Sequence, residues 1–548
     1  MTRALRALAC FVAVSLPASN GFAQHEGHGA APIGGHVPRE VIDRPLPLRS
    51  GVGSVTHPTS TRSPEAQRYY EQGLAYLHSY VWLESARSFN QALRLDAELA
   101  LAWVGLSRAF SGMEDPAAAR QAQEKAVALA GKVTPREERW IKLRTLQLDA
   151  MEASKDTAKL NAYIVALDAA LDLDMDDAEL WLLRGNVEEP GLGARGRGQR
   201  GHASSVAFYK EALDRVSDHF AAHHYLVHSY EQIGLFAKAL EHGQKYSAAA
   251  FNVPHALHMY GHDLMKVGRV QEAIDIFTRA RKLEHDYYAN ESIARDYDWH
   301  HAHNTNLLAM SYRHMGKVTE ATKLLTDAAS VKHPDDTRTG YYRGVLAEIL
   351  IARGHYDEAL SQANAIIALN MPMIRSLGNA MAARALMASG KVEAARAHVE
   401  KLSPWEPDNL GLGLYSAFVT MMETLARGEW MVRKADPRGV EMLRGALQRA
   451  RAQRSPDGWI EGLFLLESIF QIGRSTGNWE LAADAAAKLL EHDPAYGGTQ
   501  LAVAQLAAHQ GRTEDAQRAY SAAANLWSSA DADYALVRDV RRHTGGSR

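Results

Sequence analysis

The sequence predicts an all-α fold, and three observations support this prediction. Of the 548 residues, 46% are hydrophobic and 23% are charged, which is typical of a folded globular protein. Gly234 with Ala239 is followed 34 residues later by Gly268 with Ala273, and this spacing recurs along the chain. Each unit contains two amphipathic stretches joined by a glycine-containing turn, as at residues 315–317. The length is therefore explained by one long array of helix pairs.

The recurring positions carry small residues, where two helices approach closely, and aromatic residues beside them. They are Gly73, Tyr76, Phe89 and Ala92; Trp103, Leu106, Ser107, Phe110, Ala119 and Ala126; Gly234 and Ala239; Gly268, Ala273, Phe277 and Ala280; Gly316, Ala321 and Ala328; Gly354 and Ala359; Gly390 and Ala395; and Gly511, Ala516, Tyr520 and Ala523. This pattern resembles the tetratricopeptide repeat family over residues 64–534, with a less regular stretch at residues 410–454. The resemblance implies an α-solenoid, a right-handed superhelix of about ten or more helix–turn–helix repeats, and indicates the fold more than the function.

The first 23 residues have the pattern of a secretory signal peptide. Arg3 and Arg6 precede an apolar run at residues 8–16, and small residues end at Ala23. Cleavage there would remove Cys10, the only cysteine, although a lipoprotein cysteine is the alternative. The protein is therefore predicted to be periplasmic or secreted, of an exported bacterial type, without a disulfide or a cysteine metal cluster. No later segment is predicted to cross a membrane.

Residues 24–63 are rich in Gly, Pro, Ser and His and show no periodicity, so we expect a disordered arm. His25, His28 and His36 would either chelate a metal loosely or lie in a solvated tail. At the other end, Leu526, Trp527 and Tyr534 are expected to belong to a capping helix, followed by a tail at residues 535–548.

Three insertions interrupt the repeat, near residues 144–160, 191–201 and 288–301, and we expect them to form loops on one face. Residues 191–196 match a dinucleotide-binding fingerprint formally, but no strand precedes them, so this interpretation is rejected. Arg195, Arg197 and Arg200 would either contact an anionic ligand or lie in a solvated loop.

The histidines are concentrated in the middle of the array. Of the 25 histidines, 13 fall between His219 and His314. His224 and His228 are spaced i, i+4 on a predicted first helix, and His258 and His262 repeat that spacing 34 residues later. The family resemblance implies that all four line the concave surface of two adjacent helices. A histidine taken singly is more often a structural residue, whereas two identical pairs in register favour a ligand site.

By the same resemblance, further polar residues share that surface: His255, His303, His78, Glu189, Glu231, Asn186, Asn306 and Arg313. His300 and His301 are expected to close over the site. Packed helices lie about 8–10 Å apart, so side chains of neighbouring helices can converge on one ion. We therefore predict a transition-metal site formed by His224, His228, His255, His258, His262 and His303. Imidazole suits zinc, copper and iron, and the sequence does not distinguish among them.

Three functions remain open at this stage. The first is a binding solenoid that holds a metal and a protein, peptide or small-molecule partner, or that stores or carries the metal. The second is a metal-dependent enzyme, a hydrolase or a copper or iron oxidoreductase, with Glu231 or Glu189 as candidate base and Arg313 or Arg195 as substrate anchor. Neither His-x3-His pair encloses the glutamate of a zinc protease, which disfavours that chemistry. The third is a metal-free peptide-binding scaffold. A net charge of −3 gives no indication of nucleic-acid binding.

Overall fold

The computed structural model describes residues 37–153, 156–189, 201–333, 335–404, 414–452 and 456–545. Within these residues the fold is all-α, with 26 α-helices and no strand. The first thirteen helices are α1 (Arg39–Ile42), α2 (Pro64–His78), α3 (Trp82–Leu95), α4 (Ala100–Gly112), α5 (Pro116–Ala128), α6 (Pro135–Glu152), α7 (Thr157–Leu173), α8 (Ala178–Glu188), α9 (His202–Arg215), α10 (Phe220–Gln232), α11 (Phe236–Ala249), α12 (Pro254–Lys266) and α13 (Val270–Glu291).

The remaining helices continue the same alternation. They are α14 (Trp299–His314), α15 (Val318–Ser330), α16 (Asp336–Arg353), α17 (Tyr356–Ile367), α18 (Pro372–Ala388), α19 (Val392–Val399), α20 (Leu414–Arg433), α21 (Pro437–Ala452), α22 (Pro456–Ser475), α23 (Trp479–His492), α24 (Gly497–His509), α25 (Thr513–Leu526) and α26 (Ala535–Thr544). Helices α2 to α25 pack as twelve consecutive helix pairs, which confirms the predicted all-α solenoid. The less regular stretch at residues 410–454 contributes one of these pairs, α20 with α21.

The recurring residues have the structural roles that their spacing predicts. Six predicted turn glycines have φ values between 72° and 83°, a region that residues with a Cβ rarely adopt. They are Gly234, Gly268, Gly316, Gly354, Gly390 and Gly511. Gly73 lies within α2, where close helix packing and not the backbone conformation requires glycine. A Cβ atom there would lie 2.6 Å from the Phe89 ring, so the absence of a side chain lets α2 and α3 pack closely.

The predicted disordered arm is wrong for residues 37–63. Val41, Leu46 and Val52 are buried in the same core as α2 to α11. Asn90 and Arg87 on α3 donate hydrogen bonds to carbonyl groups of this segment. The apolar residues are separated irregularly by prolines and glycines, so they produce no helical or strand periodicity although they pack against helices. The signal peptide with Cys10, and residues 24–36 with His25, His28 and His36, lie outside the described residues.

Two of the three predicted insertions are largely helical in the described residues, and the tail prediction is wrong for residues 535–544. Near residues 144–160, α6 continues to Glu152 and α7 begins at Thr157. Residues 288–291 extend α13, and residues 299–301 begin α14, with a short 3-10 helix (Arg295–Tyr297) between them. Residues 191–200, including Arg195, Arg197 and Arg200, lie outside the described residues. Helix α26 buries Val537 and Val540 against the core, because the preceding helix pair leaves an apolar face.

The array curves so strongly that both of its ends contact the middle helices. From the first repeat, the side chain of His78 lies 2.9 Å (Nδ1 to hydroxyl oxygen) from Tyr225 on α10. From the last repeats, Trp527 donates a hydrogen bond through Nε1 to the carbonyl oxygen of His314 at 2.9 Å. Nε2 of His314 also lies 2.8 Å from Oδ2 of Asp493. The concave side of α10, α12 and α14 is therefore covered by the rest of the chain.

Two hydrophobic cores divide the molecule. The first includes buried residues from Val37 to Met259, and the second extends from Leu264 to Val540. The boundary between them falls within α12. Among the described helices, none combines the length and the apolar composition that a membrane span requires.

Candidate metal centre

Six buried histidines on three consecutive first helices form one cluster. They are His224 and His228 on α10, His255 and His258 on α12, and His300 and His303 on α14, and each is between 0% and 6% exposed. Their rings are in mutual contact: the ring centroids of His255 and His300 lie 5.1 Å apart, and those of His258 and His303 lie 4.7 Å apart. We call these six residues the histidine cluster.

Three of these imidazoles direct the same ring atom to one point. Nε2 of His224 lies 3.0 Å from Nε2 of His228 and 3.1 Å from Nε2 of His255. All three ligand atoms lie within 4.8 Å of one another. A metal ion with bonds of about 2.0–2.1 Å to imidazole holds neighbouring nitrogens roughly 3.0–3.4 Å apart. In this His224–His228–His255 triad, the two distances from His224 therefore fall in the range expected for nitrogens bound to one ion.

The other ring nitrogen of several cluster histidines is held by an oxygen atom. Nδ1 of His224 lies 2.6 Å from the carbonyl oxygen of His78. The remaining examples are Nδ1 of His258, 3.1 Å from Oδ1 of Asn304; Nδ1 of His300, 2.6 Å from Oε1 of Glu284; and Nδ1 of His303, 3.5 Å from Oδ2 of Asp457. When Nδ1 donates its proton to oxygen, Nε2 of the neutral ring carries the lone pair. Metal-ligating histidines in proteins are usually oriented in this way.

Burial favours the neutral form of three imidazoles in the cluster. Burial, and then the neighbouring histidines, lower the pKa of His255 well below its ordinary value. The same two causes, in the same order, lower the pKa of His258 and of His303. A metal ligand must be a neutral imidazole, so the protein holds these rings in the protonation state that binds metal.

Aromatic rings enclose the cluster. Tyr246 stacks on His224 with ring centroids 4.5 Å apart, and the Trp299 ring lies 5.9 Å from that of His255. The ring of Tyr80 lies 4.7 Å from His224 and 5.4 Å from His255. Nε1 of Trp299 donates to the carbonyl oxygen of Tyr80 at 3.4 Å, so the first repeat and α14 meet over the histidines.

His262, which the sequence placed with the other ligands, lies beside the cluster, with its ring centroid 5.3 Å from that of His258, but it has a different partner. Its Nδ1 lies 2.8 Å from Oε1 of Glu231, and Nζ of Lys266 donates to the same oxygen at 2.8 Å. Although burial opposes it, His262 and Lys266 lower the pKa of Glu231. Burial, followed by the charge of Glu231, raises the pKa of Asp263 beside it. Glu231 therefore contacts a lysine and one histidine, and the structure does not bring it to the triad.

The other predicted polar residues also lie in different surroundings. Glu189 accepts hydrogen bonds from Ser229 at 2.7 Å and from Tyr209 at 2.9 Å, and burial raises its pKa to about 7. Arg313 packs 3.8 Å from the centroid of the Phe464 ring in the second core. Asn186 contacts Tyr209, and Asn306 contacts Tyr341 and Asp457. His78 contacts Glu179 and Tyr225. His301, with Nδ1 3.2 Å from Glu284, supports the second oxygen of the carboxylate that holds His300.

Sequence reasoning missed Tyr80, Trp299 and Glu284. A signal for Tyr80 was present, because it occupies the turn position at which Gly234 and Gly268 stand in later repeats, and it has a positive φ of 57°. Trp299 lies within the predicted insertion and Glu284 precedes it, and the repeat pattern assigns no role to such positions. Their contribution depends on the closure of the array over α12.

Comparison with known proteins finds similarity to solved structures at low identity. No protein-family model matches the chain, and no curated protein matches it. Among solved structures, the chain is similar to a human IFIT1 dimer with PPP-AAAA, with 12% identity and a TM-score of 0.37, covering 80% of this chain and 91% of that one. A human IFIT1 dimer with m7Gppp-AAAA matches with 11% identity and a TM-score of 0.32, covering 86% and 92%.

Proposed function

We propose that this helical-repeat protein binds one transition-metal ion through Nε2 of His224, His228 and His255. The observation that supports the proposal best is the convergence of these three nitrogens, two of them 3.0 and 3.1 Å from the third. The His78 carbonyl group fixes the orientation of the central ring. His258, His300 and His303 adjoin the triad and would supply a fourth ligand or a hydrogen-bonded shell.

Zinc, copper and iron all suit a site made of imidazole nitrogen. No cysteine thiolate is available within the described residues, because the single cysteine is Cys10. Three histidines leave one coordination position of a tetrahedral ion for water or a further ligand. The proposal also includes export of the protein, for which the pattern of residues 1–23 is the only support.

The metal-free peptide-binding alternative is less well supported by the geometry. A peptide in the concave groove would have to reach imidazoles that are at most 6% exposed. The contacts that cover them join helices far apart in the sequence, as between His78 and Tyr225. A metal ion needs no such opening, so the burial of the cluster favours the metal.

Metal content tests the proposal directly. Protein purified without a histidine tag is expected to contain about one zinc, copper or iron ion per chain, measured by elemental analysis. Replacement of His224 or of His228 by glutamine is expected to lower metal affinity at least about tenfold, because each removes a ligand. Circular dichroism would establish that each variant retains its helical content.

His223→Gln is the matched control. His223 is on the same helix and is also buried, and its Nδ1 lies 2.7 Å from Nδ1 of His242 outside the triad. This variant is expected to keep the metal content of the unmodified protein. If His224→Gln and His228→Gln fold and bind metal as tightly as His223→Gln does, the proposed ligand set is wrong.

A further inference from the structure

A cavity of about 550 Å³ lies beside the histidine cluster. Its inner wall includes His255 and His300, and its outer rim is the segment at residues 47–52. The turn after α2 and the connection between α13 and α14 form the sides. This volume lies in the range of protein sites for small molecules, roughly 300–1,000 Å³. The cavity exists because the N-terminal segment packs as a wall against α3 and α13.

Aromatic rings from separate parts of the chain line this cavity. They are Tyr76, Tyr80, Trp82, Tyr287, Tyr297 and Trp299. Aromatic faces carry negative electrostatic potential, so they attract a cation as well as an apolar group. Rings from the first repeat and from the α13–α14 connection would contact two sides of a bound molecule.

The charged residues of the lining are predominantly acidic. They are Glu84, Glu284, Asp286, Glu291 and Asp298, against a single arginine, Arg49. Arg49 is already paired with Glu291. Glu84 and Glu291 also pair with Arg87, Asp286 pairs with Lys282, and Glu284 lies against His300. Asp298 is bonded to neutral donors, so its charge favours a cation over a phosphate or a carboxylate.

Asp298 is the carboxylate best placed to receive a cationic ligand. It accepts hydrogen bonds from the Tyr288 hydroxyl at 2.6 Å and from the backbone N–H of His300 at 2.9 Å, and both donors are neutral. By contrast, Glu84 is paired with the Arg87 guanidinium at 3.0 Å. The Asp298 carboxylate therefore lies where a neighbouring positive charge would be stabilising.

We propose that this cavity binds an organic cation, with its ammonium group near Asp298 and its apolar body against the rings of Tyr80, Trp82 and Trp299. The cavity shares His255, a proposed metal ligand, and His300 as its inner wall. Its occupancy does not require the metal, because the rings and carboxylates that define it are not metal ligands. The cavity and the metal centre can therefore be tested independently.

Three probes of similar size test the proposal by titration calorimetry on the full chain. Benzyltrimethylammonium is the cation, neopentylbenzene is its neutral isostere, and phenylacetate is an anion of similar size. The cation is expected to bind at least about tenfold more tightly than the isostere, and phenylacetate is expected not to bind. Equal affinity for the cation and the isostere, or binding of phenylacetate, would overturn the proposal.

Two variants locate the binding. Asp298→Asn removes the charge but retains an effective capping residue at the start of α14, so the helix is expected to persist. It should weaken cation binding at least about fivefold, and Trp82→Leu should do the same. Trp479→Leu, on α23 and outside the cavity, is the control and should bind normally. Unchanged affinity in folded Asp298→Asn contradicts the proposed position of the ammonium group.

The metal-free His224→Gln variant separates this proposal from the metal proposal. It is expected to bind benzyltrimethylammonium within about twofold of the unmodified protein, because the cavity residues remain. Complete loss of cation binding in a folded His224→Gln protein would contradict an independent site. If the unmodified protein binds the cation normally but holds no metal, the cavity proposal is supported and the metal proposal is wrong.

Discussion

At the scale of single residues, Tyr80 shows how the site departs from the repeat that contains it. Its φ of 57° is the turn conformation that glycine adopts in later repeats, and a side chain in this region costs about 1 kcal/mol. The ring compensates by covering His224 and His255, where it removes water from the imidazoles. This backbone conformation is unfavourable for a residue with a side chain, and its occurrence at Tyr80 is consistent with a role of the ring at the site.

Glu189 provides a prediction about pH at the same scale. Burial raises its pKa from 4.5 to about 7, so the folded state binds the proton more tightly than the unfolded state does. The stabilising contribution is fully present below pH 4.5 and is lost as the pH rises through about 7. Glu189→Gln keeps an oxygen acceptor for Ser229 and Tyr209 and does not ionise. We expect it to raise the free energy of unfolding at pH 8 by about 2–3 kcal/mol.

Urea unfolding of both proteins at pH 5 and at pH 8 checks this expectation. The difference between them should be small at pH 5, where the glutamate is largely protonated, and should grow towards pH 8. If the difference in the free energy of unfolding is the same at pH 5 and at pH 8, ionisation of Glu189 does not limit stability.

At the scale of elements, residues 37–63 act as a structural segment that one arginine holds in place. Arg87 on α3 is 1% exposed and donates to the carbonyl oxygens of Arg44 and Pro45. It also pairs with Glu84 and Glu291 at 3.0 Å. Arg87→Met leaves buried acceptors without these donors. We expect the free energy of unfolding to fall by about 3 kcal/mol and residues 37–63 to become sensitive to proteases.

Arg120→Met is the comparison for this variant. Arg120 pairs with Asp149 and Glu152, but these groups are exposed enough for water to replace the contact. Its replacement is expected to cost about 1 kcal/mol or less. Equal losses in the two variants, or an unchanged proteolysis pattern in Arg87→Met, would contradict the proposed role of Arg87.

The helix pairs were predictable from the sequence because they depend on neighbours 34 residues apart. The same local register led to His224, His228 and His255, which the structure brings together. It did not anticipate the pairing of His262 with Glu231, which Lys266 contacts as well. It also failed for residues 37–63, whose packing depends on contacts with distant helices and not on a period of their own.

At the scale of the whole molecule, the histidine cluster spans the boundary between the two hydrophobic cores. His224 and His228 are on α10, which packs in the first core, whereas His300 and His303 are on α14, which packs in the second. This closure could not be inferred from the repeat, since contacts such as that of Trp527 with His314 join residues more than 200 positions apart. The proposed triad lies on the first-core side, so an ion would link the two halves of the array through a fourth ligand from α14, His300 or His303.

Calorimetric melting tests this link. Chelator-treated protein is expected to unfold in two transitions, because each core melts with its own set of repeats. Zinc at roughly a thousand times its dissociation constant should add about 4 kcal/mol of stability and bring the transitions together. The His224→Gln protein should not respond to zinc. A single transition without metal, or two transitions unchanged by zinc, would contradict the coupling.

Burial of the cluster also determines how an ion would be exchanged. With the imidazoles at most 6% exposed, an ion could leave only when the surrounding helices separate or through the neighbouring cavity. Exchange would then be limited by access through the cavity or by opening of the helices, as well as by the strength of the metal–nitrogen bonds. The ion acquired while the chain folds would be retained, so the metal supply in the compartment where folding occurs would decide which element the mature protein carries.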